Sequence, residues 1–361
     1  MYAMRSVWLS RSIRPRRLGL RLPMWLGCIC LVAALLAGCT EPMTYRGDIA
    51  DPYANYDALC KTVGERYCFF RQKGIDWDSL SRAYRADIKP DMSRMELFYL
   101  MSDLLDNLRD GHVNLNAPFA TSYYKKWWSD YPQDFDERTL QEYYLKFGGL
   151  QKSGMTYAVF APDTIGYLRI PSFSVAISPT VLDYILAYMH RTKGLIIDVR
   201  DNGGGYLTNV PELTGRFLDR KIVGGYIRHK TGPGPDDFSE PFAVEYEPVD
   251  TTLHIGYMGR PVLVLTNRSC YSAANDFVSV MKELPNVRIV GARTGGGGGL
   301  PFSSQLPIGW SIRFSSCPVN DAHDRVTEFG IDPDVEVHCT PKQFADGIDN
   351  ILDTAFSIIL K

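Results

Sequence analysis

The sequence predicts an α/β fold with a small helical domain ahead of it, on three observations. From Tyr53 to about Leu108 the apolar spacing is helical throughout. Beyond Tyr157 short apolar runs alternate with amphipathic helical segments, the order expected of a largely parallel sheet. Two of those runs, "GLIIDVR" and "PVLVLTN", end in loops rich in glycine, serine and asparagine, where open α/β sheets bind ligands.

The elements follow in order. Arg5, Arg11, Arg14, Arg16, Arg17 and Arg21 precede the run "MWLGCICLVAALLAGCT". A basic stretch, a short apolar core and a small-residue exit predict a secretory signal peptide over 1–38. The apolar run from Met24 to Gly38 falls short of the ~20 residues that a membrane span needs. Its end, "LAGC", resembles the lipobox of bacterial lipoproteins, which implies cleavage before Cys39 and lipidation of its thiol. Residues 39–52 then read as a tether. The helical domain, 53–116, contains "YDALCKTVGERYCFF", "WDSLSRAYRADI" and "SRMELFYLMSDLLDNL", the last opened by Ser93 with Glu96 three residues on, a capping box. An aromatic, irregular connecting segment, 117–156, carries "SYYKKWWSDY", a surface for substrate or for packing between domains. In 157–361, "TIGYLRIPSF", "GLIIDVR", "PVLVLTN", "VRIVGA" and "WSIRFSS" read as strands. "SPTVLDYILAYMHR", "LTNVPELTGRFLD" and "SAANDFVSVMKEL" read as helices, "TGPGPDD" as a hairpin tip, and "PKQFADGIDNILDTAFSIIL" as one closing helix.

Composition narrows the function. The chain has 361 residues, 45% hydrophobic and 22% charged, with net charge −2, ordinary globular values that give no electrostatic reason to expect nucleic acid. Cys28 and Cys30 leave with the signal. Cys60, Cys68, Cys270, Cys317 and Cys339 form an odd set without the spacing of a disulfide framework or a zinc site, so no metal or other cofactor is expected.

Two strand ends could carry chemistry. In "IIDVRDNGGGY" consecutive glycines let backbone N–H groups approach a ligand oxygen. Tyr206 and Leu207 follow, where a phosphate loop would want Lys and Ser/Thr, so nucleotide binding is rejected. In "TNRSCYSAANDF" Ser272 sits at the first turn of a helix, whose free N–H groups favour developing negative charge. An N-cap serine is the plain alternative. Ser269 and Cys270 are less well placed.

"LIIDVRDNGGG", then "VLVLTNRSCYSAANDF", "VGARTGG" and "EFGIDPDV", in that order across about 55–355, resemble the tail-specific, or C-terminal-processing, serine peptidases. The resemblance implies a crotonase- and ClpP-like spiral of β-β-α units and assigns Ser272 as nucleophile. One branch of that family uses a Ser–Lys dyad, its lysine inside a "TFGKG"-like segment. Here the region reads "TGGGGGL", without lysine, and Lys282 lies ~15 Å along the same helix. The other branch is similar to the tricorn core and the interphotoreceptor retinoid-binding repeats, and its catalytic members take a histidine from the end of the N-terminal helical region. "LRDGHVNL" supplies His112, and Glu328 matches the tricorn glutamate. The serine that precedes the histidine there is Gly111 here, so Glu328 reaches His112 directly or through water, or Asp110 orients it instead. Ala273 N–H with that of Gly203 or Gly204 would form the oxyanion hole. Residues 113–156 are too few for a complete PDZ module.

The resulting expectation is a serine peptidase acting on peptide or protein substrates in the bacterial envelope, held at a membrane by its lipid. The alternative is a non-catalytic binder of peptides or lipophiles on the same fold. An unperturbed histidine base would give an activity limb at roughly pH 6–7.

Overall fold

The computed structural model describes residues 48–160, 164–249, 257 and 259–361. The predicted signal peptide, Cys39 and most of the tether lie outside them. Among the described residues no helix is long and apolar enough to cross a membrane.

Helix α1 (Pro52–Arg66) starts where the Asp51 carboxylate accepts the Tyr53 amide and Pro52 supplies a preset φ at the first turn. The sequence predicts this helix running on through Phe70. It stops at Tyr67, which is extended, and the Cys68 amide donates to Ser315 O instead (3.1 Å). A sheet contact thus outcompetes one more helical turn. Short α2 (Phe70–Lys73) ends at Gly74 in the left-handed region. Asp76 caps α3 (Trp77–Arg85), and the predicted capping box of Ser93 and Glu96 opens α4 (Arg94–Asp106).

The aromatic connecting segment holds regular structure that its irregular sequence conceals. After β1 (Asn114–Ala117) come β2 (Ala120–Tyr123), α5 (Lys126–Ser129), α6 (Glu137–Thr139) with a π-helical turn at Leu140–Leu145, β3 (Leu150–Lys152) and β4 (Met155–Phe160). The α/β part continues with β5 (Ile165–Arg169), α7 (Pro179–Tyr188), β6 (Gly194–Asp198), α8 (Asn209–Thr214), β7 (Ile222–Ile227) and β8 (Phe242–Tyr246). Then follow β9 (Val262–Thr266), α9 (Ala273–Lys282), β10 (Val287–Gly291), β11 (Gly299–Gln305), β12 (Ser311–Asp321), β13 (Val335–Glu336), α10 (Pro341–Ala345) and α11 (Asn350–Leu360). The predicted single closing helix is therefore two. Gly347 has φ +76°, and the Asp349 carboxylate caps a fresh start by accepting the Leu352 amide.

Two sheets result. The larger runs β13-β10-β9-β6-β5-β4-β3, parallel from β13 to β5 and antiparallel beyond. Its central strands are buried on both faces, so they read as unbroken apolar runs. Leu195, Ile197 and Val264 pack toward α7 and α9, whereas Ile196, Leu263 and Leu265 pack toward α11, as the period of two demands. The second sheet runs β2-β1-β12-β7-β8, with β11 also on β12. Its Phe302, Ile312 and Phe314, with Trp310 from the turn before β12, share a core with the helices α1 to α4. This is a mixed α/β architecture, as predicted. It brings three chain segments to one place: the carboxyl ends of β6 and β9, and the end of the helical region.

Candidate active site

The turn after β9 forces Ser272 into an unusual backbone conformation, φ 56° and ψ −124°, for which a non-glycine residue pays about 1–3 kcal/mol. Although it occupies the N-cap position of α9, its hydroxyl caps nothing. The turn is held from outside: the Ser272 amide donates to Gly296 O (2.8 Å) and the Gly295 amide to Cys270 O (2.7 Å). The glycine tract that lacks a lysine is thus a brace for this turn. On the other side Gly204, φ +92°, comes so close that a β-carbon there would lie 2.6 Å from Tyr271 O and 2.8 Å from Ser272 Cβ. Of the other two candidates in "TNRSCYSAANDF", Cys270 donates its thiol to Val199 O (2.9 Å), and burial pushes that thiol up to about 12, the opposite of a reactive cysteine.

His112 is buried, and its Nε2 lies 3.0 Å from Ser272 Oγ. Its backbone amide donates to Asp110 Oδ1 (2.8 Å), and its ring packs against Tyr271, centroids 4.9 Å apart. Burial pushes the imidazole down to about 4; the Asp110 charge opposes this, while Arg313 and Lys73 reinforce it. The ring is therefore a neutral acceptor across the physiological range, and the limb expected from sequence at pH 6–7 moves down. Nδ1 is buried without a partner among the described residues.

The sequence proposes Glu328 or Asp110 as the orienting group, and the structure joins both to a residue it did not single out. Lys73 Nζ, 3% exposed at its side chain, lies 2.6 Å from Glu328 Oε1 and 3.6 Å from Asp110 Oδ2. Asp110 also accepts from Tyr67 OH (3.0 Å) and Tyr271 OH (3.4 Å). Burial works against ionising Asp110, but Lys73, His112 and the His112 amide hold it below the usual carboxylate range. Glu328 goes the other way: burial, then the Asp110 charge, push it up to about 8 against the pull of Lys73. Neither carboxylate bonds to the His112 ring, and Glu328 Oε2 is also without a partner among the described residues.

At Gly111, where the tricorn-type pattern has serine, a β-carbon would lie 2.5 Å from Trp127 Nε1 and 2.9 Å from Tyr271 OH. The space is filled by Tyr271, stacked on Trp127 at 4.0 Å, with Arg268 Nε tied to Trp127 O (2.5 Å). Part of "SYYKKWWSDY" therefore forms the wall behind the candidate catalytic pair. Lys282 lies at the far end of α9, donating to Asp332 O (2.5 Å) and 3.1 Å from Asp334 Oδ1. The Ala273 and Gly203 amides donate to no group among the described residues, whereas the Gly204 amide is taken by Asn202 Oδ1 (2.9 Å). No group of three or more His, Cys, Asp or Glu side chains among the described residues is placed to hold a metal ion.

Chemically, the arrangement is a strained serine with a neutral imidazole in hydrogen-bond reach and two unengaged amides beside it. Comparison with known proteins gives it a context. Residues 164–337 match Peptidase family S41, and residues 50–106 match the Tricorn protease C1 domain. A crystallographic chain from Parabacteroides merdae ATCC 43184, described as a peptidase candidate, is 44% identical and superposes with a TM-score of 0.82, over 86% of this chain and 98% of that one. A Tricorn-like protease C-terminal subunit from Sulfurisphaera tokodaii is 28% identical over 204 residues, 55% of this chain and 21% of the relative. A tail-specific protease from Haemophilus influenzae is 27% identical over 158 residues, 43% of this chain and 21% of that protein. The chain thus spans about a fifth of the length of these two curated relatives. The chain belongs to peptidase family S41, with N-terminal helices of the tricorn C1 type.

Proposed function

We propose that the chain is a serine peptidase that hydrolyses peptide bonds through an acyl-enzyme, with Ser272 as nucleophile and His112 as general base. The observation that carries this reading is the 3.0 Å contact between His112 Nε2 and Ser272 Oγ. His112, neutral with its proton on Nδ1, takes the hydroxyl proton at Nε2 as Oγ attacks the scissile carbonyl. The Ala273 N–H and the exposed Gly203 N–H receive the oxyanion; Gly204, its amide engaged by Asn202, shapes the turn. Removing one such donor typically costs ~10²–10³ in rate. The imidazolium then protonates the leaving amine, and a water molecule, activated by the same nitrogen, releases the acyl group. Asp110 orients His112 through the backbone amide, and Glu328 acts on the pair through Lys73.

A fluorophosphonate probe tests this reading. Labelling of the wild type that disappears in Ser272→Ala is the expected result; a folded wild-type chain that takes no label would support the binding protein instead. We also place the protein in the bacterial envelope, anchored through Cys39, on the strength of the basic stretch and "LAGC". Radioactive palmitate should label the wild type and not Cys39→Ala; equal labelling of both would overturn the anchor.

A further inference from the structure

Leu207, Pro211, Ile227, Val244 and Leu300 wall a cavity of about 250 Å³ whose lining also includes Asp276 and Tyr246. Three connections set it beside Ser272. Asp276 is four residues on, its amide donating to Ser272 O (3.0 Å), so it stands one turn of α9, about 6 Å of rise, beyond the Ser272 backbone. Leu207 lies two residues beyond the glycine loop that touches Ser272, and Leu300 follows the tract whose Gly296 carbonyl accepts the Ser272 amide. One turn of α9, the glycine loop and the glycine tract thus each lead from the Ser272 turn to the lining of this cavity.

One carboxylate in this lining is unbalanced. Glu245 is paired with Lys221 at 2.6 Å. Asp276 accepts one hydrogen bond, from Tyr246 OH to Oδ2 (3.0 Å), and pairs with no cation among the described residues. Burial pushes its carboxyl up to about 6, the Tyr246 bond opposing, which still leaves it mainly ionised above pH 7. A half-buried charge in apolar walls is costly unless a partner arrives, and a hydrogen bond from a tyrosine alone would be served as well by a neutral amide. The apolar walls suit an aliphatic stem and the carboxylate suits a cationic end, the two properties of a lysine or arginine side chain.

We propose that this cavity receives the substrate side chain on the acyl side of the scissile bond, and that Asp276 selects lysine or arginine there; the proposal rests on the reading of Ser272 as a hydrolytic nucleophile. The test uses the full chain and a series of acyl-tripeptide aminocoumarins differing only in the residue before the scissile bond: lysine, norleucine, arginine and citrulline. The expected kcat/KM ratios, lysine over norleucine and arginine over citrulline, are at least about tenfold, since a site built around a polar partner rejects analogues that lack it. In Asp276→Asn both ratios should fall to about 1–3. The wild-type ratios stand even if that variant does not fold. A wild type that takes the fluorophosphonate but prefers norleucine and citrulline would overturn the cavity's assignment alone. A chain that neither takes the label nor cleaves any of the four would overturn the hydrolase reading, and the subsite with it.

Discussion

Two buried clusters of acid and base lie within this fold, and they are built to opposite ends. At the end of β6, Arg200 is fully buried and held by two carboxylates and a carbonyl. It donates from Nε and Nη2 to both oxygens of Asp198 (3.0 and 2.7 Å), and from Nη1 to Asp349 Oδ1 (2.9 Å) and Asp134 O (3.3 Å). Tyr167 OH completes Asp198 at 2.9 Å. Beside Ser272, the side chains of Lys73, Asp110, Glu328 and His112 are buried too, and His112 Nδ1 and Glu328 Oε2 are left without partners among the described residues. Arginine keeps its charge at any accessible pH, whereas imidazole and carboxyl change theirs. The arginine cluster, whose Asp349 Oδ2 lies 2.8 Å from Arg200 Nη1 yet accepts no hydrogen bond among the described residues, fixes the strand end from which the glycine loop departs. The histidine cluster can accept and return a proton. The difference teaches that neither buried charge nor an open carboxylate oxygen marks a reactive site; an open nitrogen on a titratable ring beside a hydroxyl does.

The contrast can be broken by removing one cation from each cluster. Arg200→Met strips Asp349 of its counter-charge, leaves Asp198 only the more distant Arg169 (3.8 Å), and should destabilise the protein by about 3–5 kcal/mol, read as a lower urea midpoint. A loss below 1 kcal/mol would show that the cluster does not hold the strand end.

Acid separates the clusters by window. His112 titrates near 4 when folded and near 6.5 when unfolded, so its burial contributes stability that is present above pH 6.5 and is lost as pH falls through 4. The amount is ~3 kcal/mol, and His112→Asn should flatten the stability curve in that window. Asp198, held below the usual carboxylate range mainly by Arg200 against burial, loses its contribution only at lower pH. An unchanged slope between pH 6.5 and 4 in His112→Asn would contradict the assignment.

Lys73→Met sharpens the active cluster. It leaves Asp110 and Glu328 as two facing carboxyls without their shared cation, and should lower kcat by about 10- to 100-fold with a smaller change in KM. It should also shift the pH–rate profile; a purely structural lysine would lower the amount of folded enzyme and leave the profile in place. Lys282→Ala is expected to change kcat less than about twofold, because that lysine is tied to Asp332 and Asp334 at the other end of α9.

Much of the fold was legible because its strands are buried on both faces and its helices carry their caps in sequence, as Ser93 and Glu96 do. Strand β11 was not: "GLPFSSQ" has neither an apolar run nor clean alternation, and it is a strand only because β12 offers it a partner. The break at Gly347 was hidden inside a helical period that continues across it. At the site, Ser272 and His112 lie 160 residues apart, and only the resemblance suggested pairing them. Lys73 carried no signal, since a lysine before a helix-ending glycine is ordinary. Tyr271 adjoins Ser272 in the motif itself and was the one missed neighbour that sequence position could have flagged.

The account turns on His112 as the base for Ser272, and the pH dependence of fluorophosphonate inactivation measures that pairing without any knowledge of the substrate. The second-order rate constant should stay level from pH 8 down to about 6, decline with a limb near 4, and drop by at least ~10³ in His112→Ala. An inactivation rate within a few-fold of wild type in folded His112→Ala would contradict it.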